Sequence, residues 1–389
     1  MAKQETSLFP ENNPQDGAAV LRGIARAAAE AEVSPTGHRV EFRVLPVRSV
    51  LNKTISRRGL PFARSINPYR GCEFGCQYCY ARYTHEFMEL RDPKSFEDRI
   101  FLKQNAAWLL RQELRTLPHG EAVAIGTATD PYQPIERHAQ ITRSLLEVLA
   151  GQRGLRLGIV TKSTLIVRDI DLLQAIAAHN SLTLNLTVTT MDTRLARILE
   201  PRAPRPDLRM ATVRKLRAAG LTAGVLCCPL LPGITDTMPA LESVAQAAKA
   251  ADALFLHASA LFLKPCSKPV FVAFIAENFP HLLRHYQESF ADRAFVTTAY
   301  RKRLQEMLRV VRRKYGWTRN FDSRAVSAEP ASTSGQMELA FFPAERKPVR
   351  SARPAFPYMP RKPGTGAGFL SKSAMNNEPC PPPERDGTL

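Results

Sequence analysis

The chain has 389 residues, 44% of them hydrophobic, enough for one large α/β domain with tails or for two modest domains. Its net charge of +18, from 54 Lys and Arg against 36 Asp and Glu, makes polyanions such as nucleic acid candidate partners. Seven cysteines are too few for a disulfide scaffold, no apolar run reaches membrane-spanning length, and the opening MAKQETSLFPENNPQDG lacks the apolar core of a signal peptide, so a soluble cytoplasmic protein is expected.

Residues 1–40 read as a polar leader, with a short Ala-rich helix from Ala18 to Glu32. Arg39 to Val50 is extended and is expected outside the main sheet. Ala63 to Tyr69 reads as a first strand, and Lys94 to Leu117 as a helix. A β/α alternation then repeats. Its strands are Glu121 to Ala128, Leu155 to Thr161, Leu182 to Val188, Leu221 to Cys228 and Ala253 to Phe262. Helices are expected from Glu136 to Ala150, Asp169 to His179, Arg194 to Leu199, Asp207 to Ala219 and Thr237 to Ala251. Lys268 to Phe279 and His281 to Ala291 follow as helices. Thr298 to Tyr315 is a basic amphipathic helix with Leu304, Leu308, Val311 and Tyr315 as its apolar stripe, and its charges suit a solvated face better than a binding surface. Beyond Asp322 come eleven of the thirty prolines among Ser, Gly and basic residues, the composition of a disordered tail. The apolar island QMELAFFP and an isolated Cys380 fall in it.

The stretch from Asn67 to Tyr83, NPYRGCEFGCQYCYARY, carries Cys72, Cys76 and Cys79 at C-x3-C-x2-C spacing, with Gly71 and Gly75 beside the first two. Glycines let a short loop turn three thiols inward around one small object. In a cysteine-poor chain that object is a metal or a redox group. A structural zinc normally takes four ligands, here drawing on His85, Cys227 or Cys228 as the fourth. A [4Fe–4S] cluster held by three cysteines instead leaves one iron open to an outside ligand. Barrel sites form at the C-terminal ends of strands, so the residues after each strand are the next candidates. These are Thr127, Thr129, Asp130 and Glu136 after the second strand, Lys162 after the third, and Thr187, Thr189 and Thr190 at the end of the fourth. Asp130 and Glu136 can also cap the following helix, and Lys162 can be a surface lysine. Glu200 and Arg202 in LEPRA suit a structural ion pair, and Cys227 and Cys228 are either small buried residues or hydrogen donors to a radical.

In this order NPYRGCEFGCQYCYAR, GTATDPYQPIE, VTKS, LEPRA and the turn from Pro229 to Gly233 resemble the radical S-adenosylmethionine (radical SAM) superfamily. Within it they look like the spore photoproduct lyase-like branch, whose members are often labelled DNA repair photolyase. The resemblance runs from Arg39 to Phe262 and more loosely to Tyr315. It implies an α/β fold, a partial (β/α)6 TIM-like barrel of the radical SAM type with C-terminal helices and disordered tails. The divisions are a leader at 1–40, the barrel at 41–265, a helical extension at 266–321 and a Pro-rich tail at 322–389. It implies a [4Fe–4S] cluster on Cys72, Cys76 and Cys79, with S-adenosyl-L-methionine chelating the open iron. Reductive cleavage would then yield a 5′-deoxyadenosyl radical that abstracts hydrogen from a substrate, nucleic acid being one candidate. An electron donor of the flavodoxin or ferredoxin type is implied as partner, and no membrane. By position, Tyr78 would flank the adenine. Thr127, Thr129 and Asp130 would line the S-adenosylmethionine site, with Lys162 and Thr187 at its methionyl end. Spore photoproduct lyases carry a radical-quenching cysteine at the end of the second strand, where this chain reads Gly126-Thr127, so Cys227 and Cys228 are its candidate substitutes. Leu261 to Pro265 also lacks the Arg-Leu-Pro pattern of close relatives. Outside the resemblance, a nucleic-acid-binding protein with a structural Fe–S or zinc site remains compatible with the charge.

Overall fold

Six strands that begin at the segment leading into the cysteine loop lie parallel in one sheet. The computed structural model describes residues 23–30, 32–34, 40–53, 62–118 and 120–317. The strands are β1 (Glu32–Ser34), β2 (Glu41–Val44), β3 (Leu51–Lys53), β4 (Arg64–Ile66), β5 (Tyr69–Arg70) and β6 (Arg99–Leu102). They continue as β7 (Ala122–Ile125), β8 (Arg156–Thr161), β9 (Ser181–Thr187), β10 (Ala223–Leu230) and β11 (Leu256–Ala260). The large sheet runs β11-β10-β9-β8-β7-β4-β3, with β4 and β7 to β11 parallel and β3 antiparallel on the β4 edge. Helices connect the parallel strands, giving the partial (β/α)6 barrel that the resemblance implies.

The two faces of the barrel strands differ in chemistry. On β9 Leu182, Leu184 and Leu186 turn outward to the helices, where burial of each contributes about 1.5–3 kcal/mol. The alternate residues Ser181, Thr183, Asn185 and Thr187 turn to the interior and line a cavity there. On β8 Leu157 and Ile159 are buried, while Gly158 and Val160 between them are half-buried on the cavity side. Helix starts are fixed by side chains of the expected type. Asp192 accepts from the amides of Arg194 and Leu195 at 2.8 and 3.1 Å, and Thr237 and Thr297 cap their helices through Ala240 and Tyr300.

The sequence reading fails at Lys94 to Leu117, which is not one helix. Helices Ser95–Asp98 and Ala106–Glu113 flank β6 there. Ile100, Phe101 and Leu102 form a run of consecutive apolar residues buried on both faces, and β6 sits between β2 and β5 in a second, four-stranded sheet. Arg39 to Val50 supplies β2 to that sheet, and Glu32–Ser34, within the expected leader, pairs antiparallel with β2. The helix expected from Glu136 to Ala150 breaks at Gln140, whose φ of 49° starts a new helix, Ile141–Ala150. The basic helix is Thr298–Lys314. Leu304 and Val311 are buried, and Arg303, Arg309 and Lys314 pair with Asp236, Glu306 and Glu242. Among the described residues no helix is long and apolar enough to cross a membrane. The expected tail at 322–389, with Cys380 and the apolar island, lies outside the described residues, as does most of the leader.

Gly224 on β10 is required by close approach. A methyl group there would sit 2.5 Å from the buried Phe255 ring. Gly224→Ala is expected to destabilise the barrel by about 1–3 kcal/mol, measurable by chemical denaturation.

Candidate active site

The cysteine loop is held in shape by backbone constraints. Gly71 and Gly75 have φ of 86° and 63°. A side chain on Gly71 would meet the carbonyls of Phe96 and Arg99 at 2.8 Å, and one on Gly75 the Glu97 carboxylate at 2.7 Å. The loop is clasped to the segment after β7. Thr129 Oγ1 donates to the Gly71 carbonyl at 2.5 Å, and the Glu73 carboxylate accepts from the Ile135 amide at 2.8 Å. The Glu73 amide donates to Gln133 Oε1 at 2.9 Å. From the other side, Ser267 Oγ donates to the Cys79 carbonyl at 2.7 Å, and Arg82 to that of Cys76 at 3.1 Å.

Cys72, Cys76 and Cys79 all line one cavity of about 790 Å³ inside the barrel. Burial raises all three thiols, that of Cys76 to about 12. Among the described residues no three His, Cys, Asp or Glu side chains close on one ion-sized point. The thiols stand around one end of the cavity instead. His85, the zinc alternative's fourth ligand, is 1% exposed and packs between Phe96 and Phe101, with Nε2 on the Arg99 carbonyl at 3.0 Å. It is a core histidine.

Beside the thiols lies a buried charge network. Glu200 pairs with Arg209 at 2.5 Å, accepts from Thr189 Oγ1 at 3.2 Å and accepts from the Tyr78 hydroxyl. Arg209 also donates to the carbonyls of Thr187 and Pro204. Burial pushes the Glu200 carboxyl up, but the charges of Arg209 and Lys162 and the Tyr78 hydroxyl outweigh it and hold the group below its ordinary range. Stripping one partner from such a buried pair costs about 3–5 kcal/mol. Lys162 lies 5.7 Å from the Tyr78 ring centroid. Burial would lower its ammonium, yet nearby Cys76 and Glu200 raise it, so it stays charged.

The cavity gathers most of the strand-end candidates, though not Glu136, Thr189 or Thr190. Tyr78, Thr127, Thr129, Asp130, Lys162 and Thr187 all line it. Asp130 accepts from Thr161 Oγ1 at 2.6 Å and from the amides of Lys162 and Tyr132 at 2.7 and 2.9 Å, while burial raises its carboxyl. Thr127 Oγ1 accepts from Asn67 Nδ2 at 3.3 Å. The two candidate thiols separate. Cys228 lines the cavity, and burial raises it to about 11. Cys227 is fully buried with Sγ on the Thr189 carbonyl at 3.7 Å. Glu136 is buried away from the cavity with Arg168 at 2.8 Å and the Tyr69 hydroxyl. Arg202 is not Glu200's partner; it lies 3.4 Å from Glu97.

Sequence reasoning missed Arg209, Lys103 and His257. Arg209 sits nine positions from Glu200 across a turn, a spacing with no local signature. Lys103 follows β6, the strand read as helix; it is 4% exposed and donates to the Asn67 carbonyl at 2.7 Å. His257 lies on β11 facing the cavity, in a strand whose alternation could have singled it out.

The family model of the radical SAM superfamily matches residues 66–241. An uncharacterized protein of Mycobacterium tuberculosis is 33% identical over 302 residues, covering 77% of this chain and 88% of its own length. The chain belongs to the radical SAM superfamily. An uncharacterized protein of Methanocaldococcus jannaschii is 27% identical over 186 residues, 47% of this chain and 67% of that one. Among solved structures, a variant of spore photoproduct lyase with bound AdoMet and dinucleoside spore photoproduct has a TM-score of 0.51 at 15% identity, over 70% of this chain and 79% of that one. That likeness shows the shared barrel fold.

Radical SAM enzymes use a [4Fe–4S] cluster and S-adenosylmethionine. The donor set fits such a cluster: three thiols face one cavity, His85 is engaged elsewhere, and the neighbouring charges of Lys162 and Arg82 favour thiolate at Cys76 and Cys79.

His85 makes the fold acid-sensitive. Burial is the main cause holding its ring at about 4. The unfolded chain takes up this proton near pH 6.5 and the folded chain only near 4, so each step down between those values favours unfolding. His85→Phe should therefore gain about 1–2 kcal/mol relative to the parent chain between pH 7.5 and pH 5, read from denaturation curves at both.

Proposed function

We propose that this chain is a radical SAM enzyme that reductively cleaves S-adenosylmethionine and uses the product to take hydrogen from an anionic organic substrate. The observation that carries this reading is that Cys72, Cys76 and Cys79 line the same cavity as Tyr78, Thr127, Thr129, Asp130, Lys162 and Thr187. In this reading the three cysteines hold the [4Fe–4S] cluster and leave its fourth iron to S-adenosylmethionine. When bound, cluster and S-adenosylmethionine together supply a 5′-deoxyadenosyl radical for hydrogen abstraction.

The chain's own residues bind, orient and exclude water. Lys162, charged and buried, sits where it can hold a carboxylate against the thiol end of the cavity. Tyr78, its hydroxyl tied to Glu200, presents a fixed aromatic face. Cys228 is assigned as the hydrogen donor that returns an atom to the substrate radical. It is on the cavity wall and its raised thiol stays protonated near neutral pH, the form that has a hydrogen atom to give. The anionic character of the substrate follows from the lining. Among the described residues it contains Lys53, Arg70, Lys103, Arg156, Lys162 and Lys264, but only one carboxylate, that of Asp130. A nucleotide or a piece of nucleic acid is one such substrate. A flavodoxin or ferredoxin is the proposed source of the electron.

Anaerobic reconstitution with iron and sulfide should yield about four irons per chain, and dithionite with S-adenosylmethionine should then release 5′-deoxyadenosine. Cys72→Ala, Cys76→Ala and Cys79→Ala should each lose both the cluster's absorbance and the nucleoside. A parent chain that binds iron yet releases none would overturn the reading. With a substrate in hand, Cys228→Ala should suppress the entry of solvent deuterium into product, measured by mass spectrometry.

A further inference from the structure

Below the level of the thiols the barrel interior is not filled. The inward residues of β7 and β8 at this depth, Ala122, Ala124 and Gly158, carry almost no side chain, and all line the cavity. Gly158 lies mid-strand at ordinary φ, and a methyl group built on it meets no atom within 4 Å. A barrel packed for stability alone fills this layer with branched apolar side chains. Here the space is kept open, and two polar groups face it without partners. Thr183 on β9, beside Gly158 in the parallel register, is 6% exposed, and its Oγ1 has no hydrogen-bond partner. Arg156, two residues before Gly158 on the same strand, has a buried Nε with no partner and forms no ion pair among the described residues.

An orphaned buried hydroxyl costs about 1–3 kcal/mol, and the half-buried Arg156, whose Nε is buried without an acceptor, bears a similar cost at that atom. Both costs are offset when an oxyanion is present, because a guanidinium donates in a planar fork that matches carboxylate and phosphate. Among the described residues no carboxylate fills this role, since Asp130, the one acid they place on the cavity, is occupied by Thr161, Lys162 and Tyr132. Arg156 lies six residues before Lys162 on one extended strand, roughly 20 Å away along it.

We infer that the barrel floor is an oxyanion subsite, in which Arg156 and Thr183 hold the carboxylate or phosphate end of an elongated substrate that enters the barrel end-on. The inference rests on the radical SAM reading for the meaning of substrate, though not for the existence of the site. It specifies a molecule with its anionic group far from the reacting carbon.

The test is equilibrium dialysis of the full-length chain, without reductant, against radiolabelled inorganic phosphate, and in a parallel arm against radiolabelled acetate. The chain should bind at least one of the two, and the tighter one identifies the anion class. Arg156→Met should weaken that binding about tenfold or more, the loss of one charge-assisted contact. Thr183→Val keeps the side chain's shape and should weaken it several-fold. Gly158→Leu, which fills the open space, should abolish it. Arg284→Met, on an exposed helix outside the cavity, should leave the binding intact. Circular dichroism melts of each variant identify any loss that comes from unfolding, and Thr183→Val carries the test if a larger change fails to fold. Binding of neither anion, or binding unchanged in both Arg156→Met and Thr183→Val, overturns the subsite. Release of 5′-deoxyadenosine by the parent chain in that event leaves the radical SAM reading standing, and its absence sinks that reading separately.

Discussion

Two loops that share no secondary structure are bound to one another at the mouth of the barrel, and the site depends on that clasp. The Gly71 carbonyl, the Glu73 carboxylate and the Glu73 amide reach the segment after β7 through Thr129, Ile135 and Gln133. These bonds are buried, where an unmade partner is expensive, so the two segments keep one arrangement. The wall bearing the thiols is thereby set against the wall bearing Thr127 to Asp130. Arg82 and Ser267 hold the loop from behind, the latter from the first residue before the C-terminal helices. The helical extension therefore has a part in the site as well as in the core.

The charge network works on a similar principle at greater depth. Glu200 and Arg209 are each 1% exposed, and such a pair gives little net stability against its desolvation. What it supplies is position. Arg209 also grips the Thr187 carbonyl at the end of β9, while Glu200 receives Tyr78 from the cysteine loop. One ion pair thus ties the end of the fourth parallel strand to the ring beside the third thiol.

Much of this could be read in the chain beforehand, because it rests on local pattern. The inward face of β9 is written as alternation in LTLNLTV, with Thr183, Asn185 and Thr187 at period two. The thiol loop is written as spacing. Asp130 and Lys162 were visible as strand-end residues because barrel chemistry gathers there. What failed was whatever depended on distant partners. Ile100 to Leu102 is three apolar residues inside a window of helical length, and only its neighbours β2 and β5 make it a strand. Glu200 beside Arg202 looked like a pair, yet the pocket between helices selected Arg209. Cys227 and Cys228 are adjacent in sequence, and the pleat alone decides which of them faces the interior.

Gly126 has a consequence for where a thiol can stand. Its φ is 86°, and any side chain there would meet the Val160 carbonyl at 2.5 Å and Pro131 at 2.6 Å. Position 126, in the tight turn at the end of the second parallel strand, is therefore closed to cysteine. Outside the cysteine loop, the thiol that lines this cavity is Cys228, across the barrel from that turn. If Cys228 serves as the proposed hydrogen donor, it reaches a bound molecule from the side opposite that turn, so the handedness of the product would record which strand bore the sulfur.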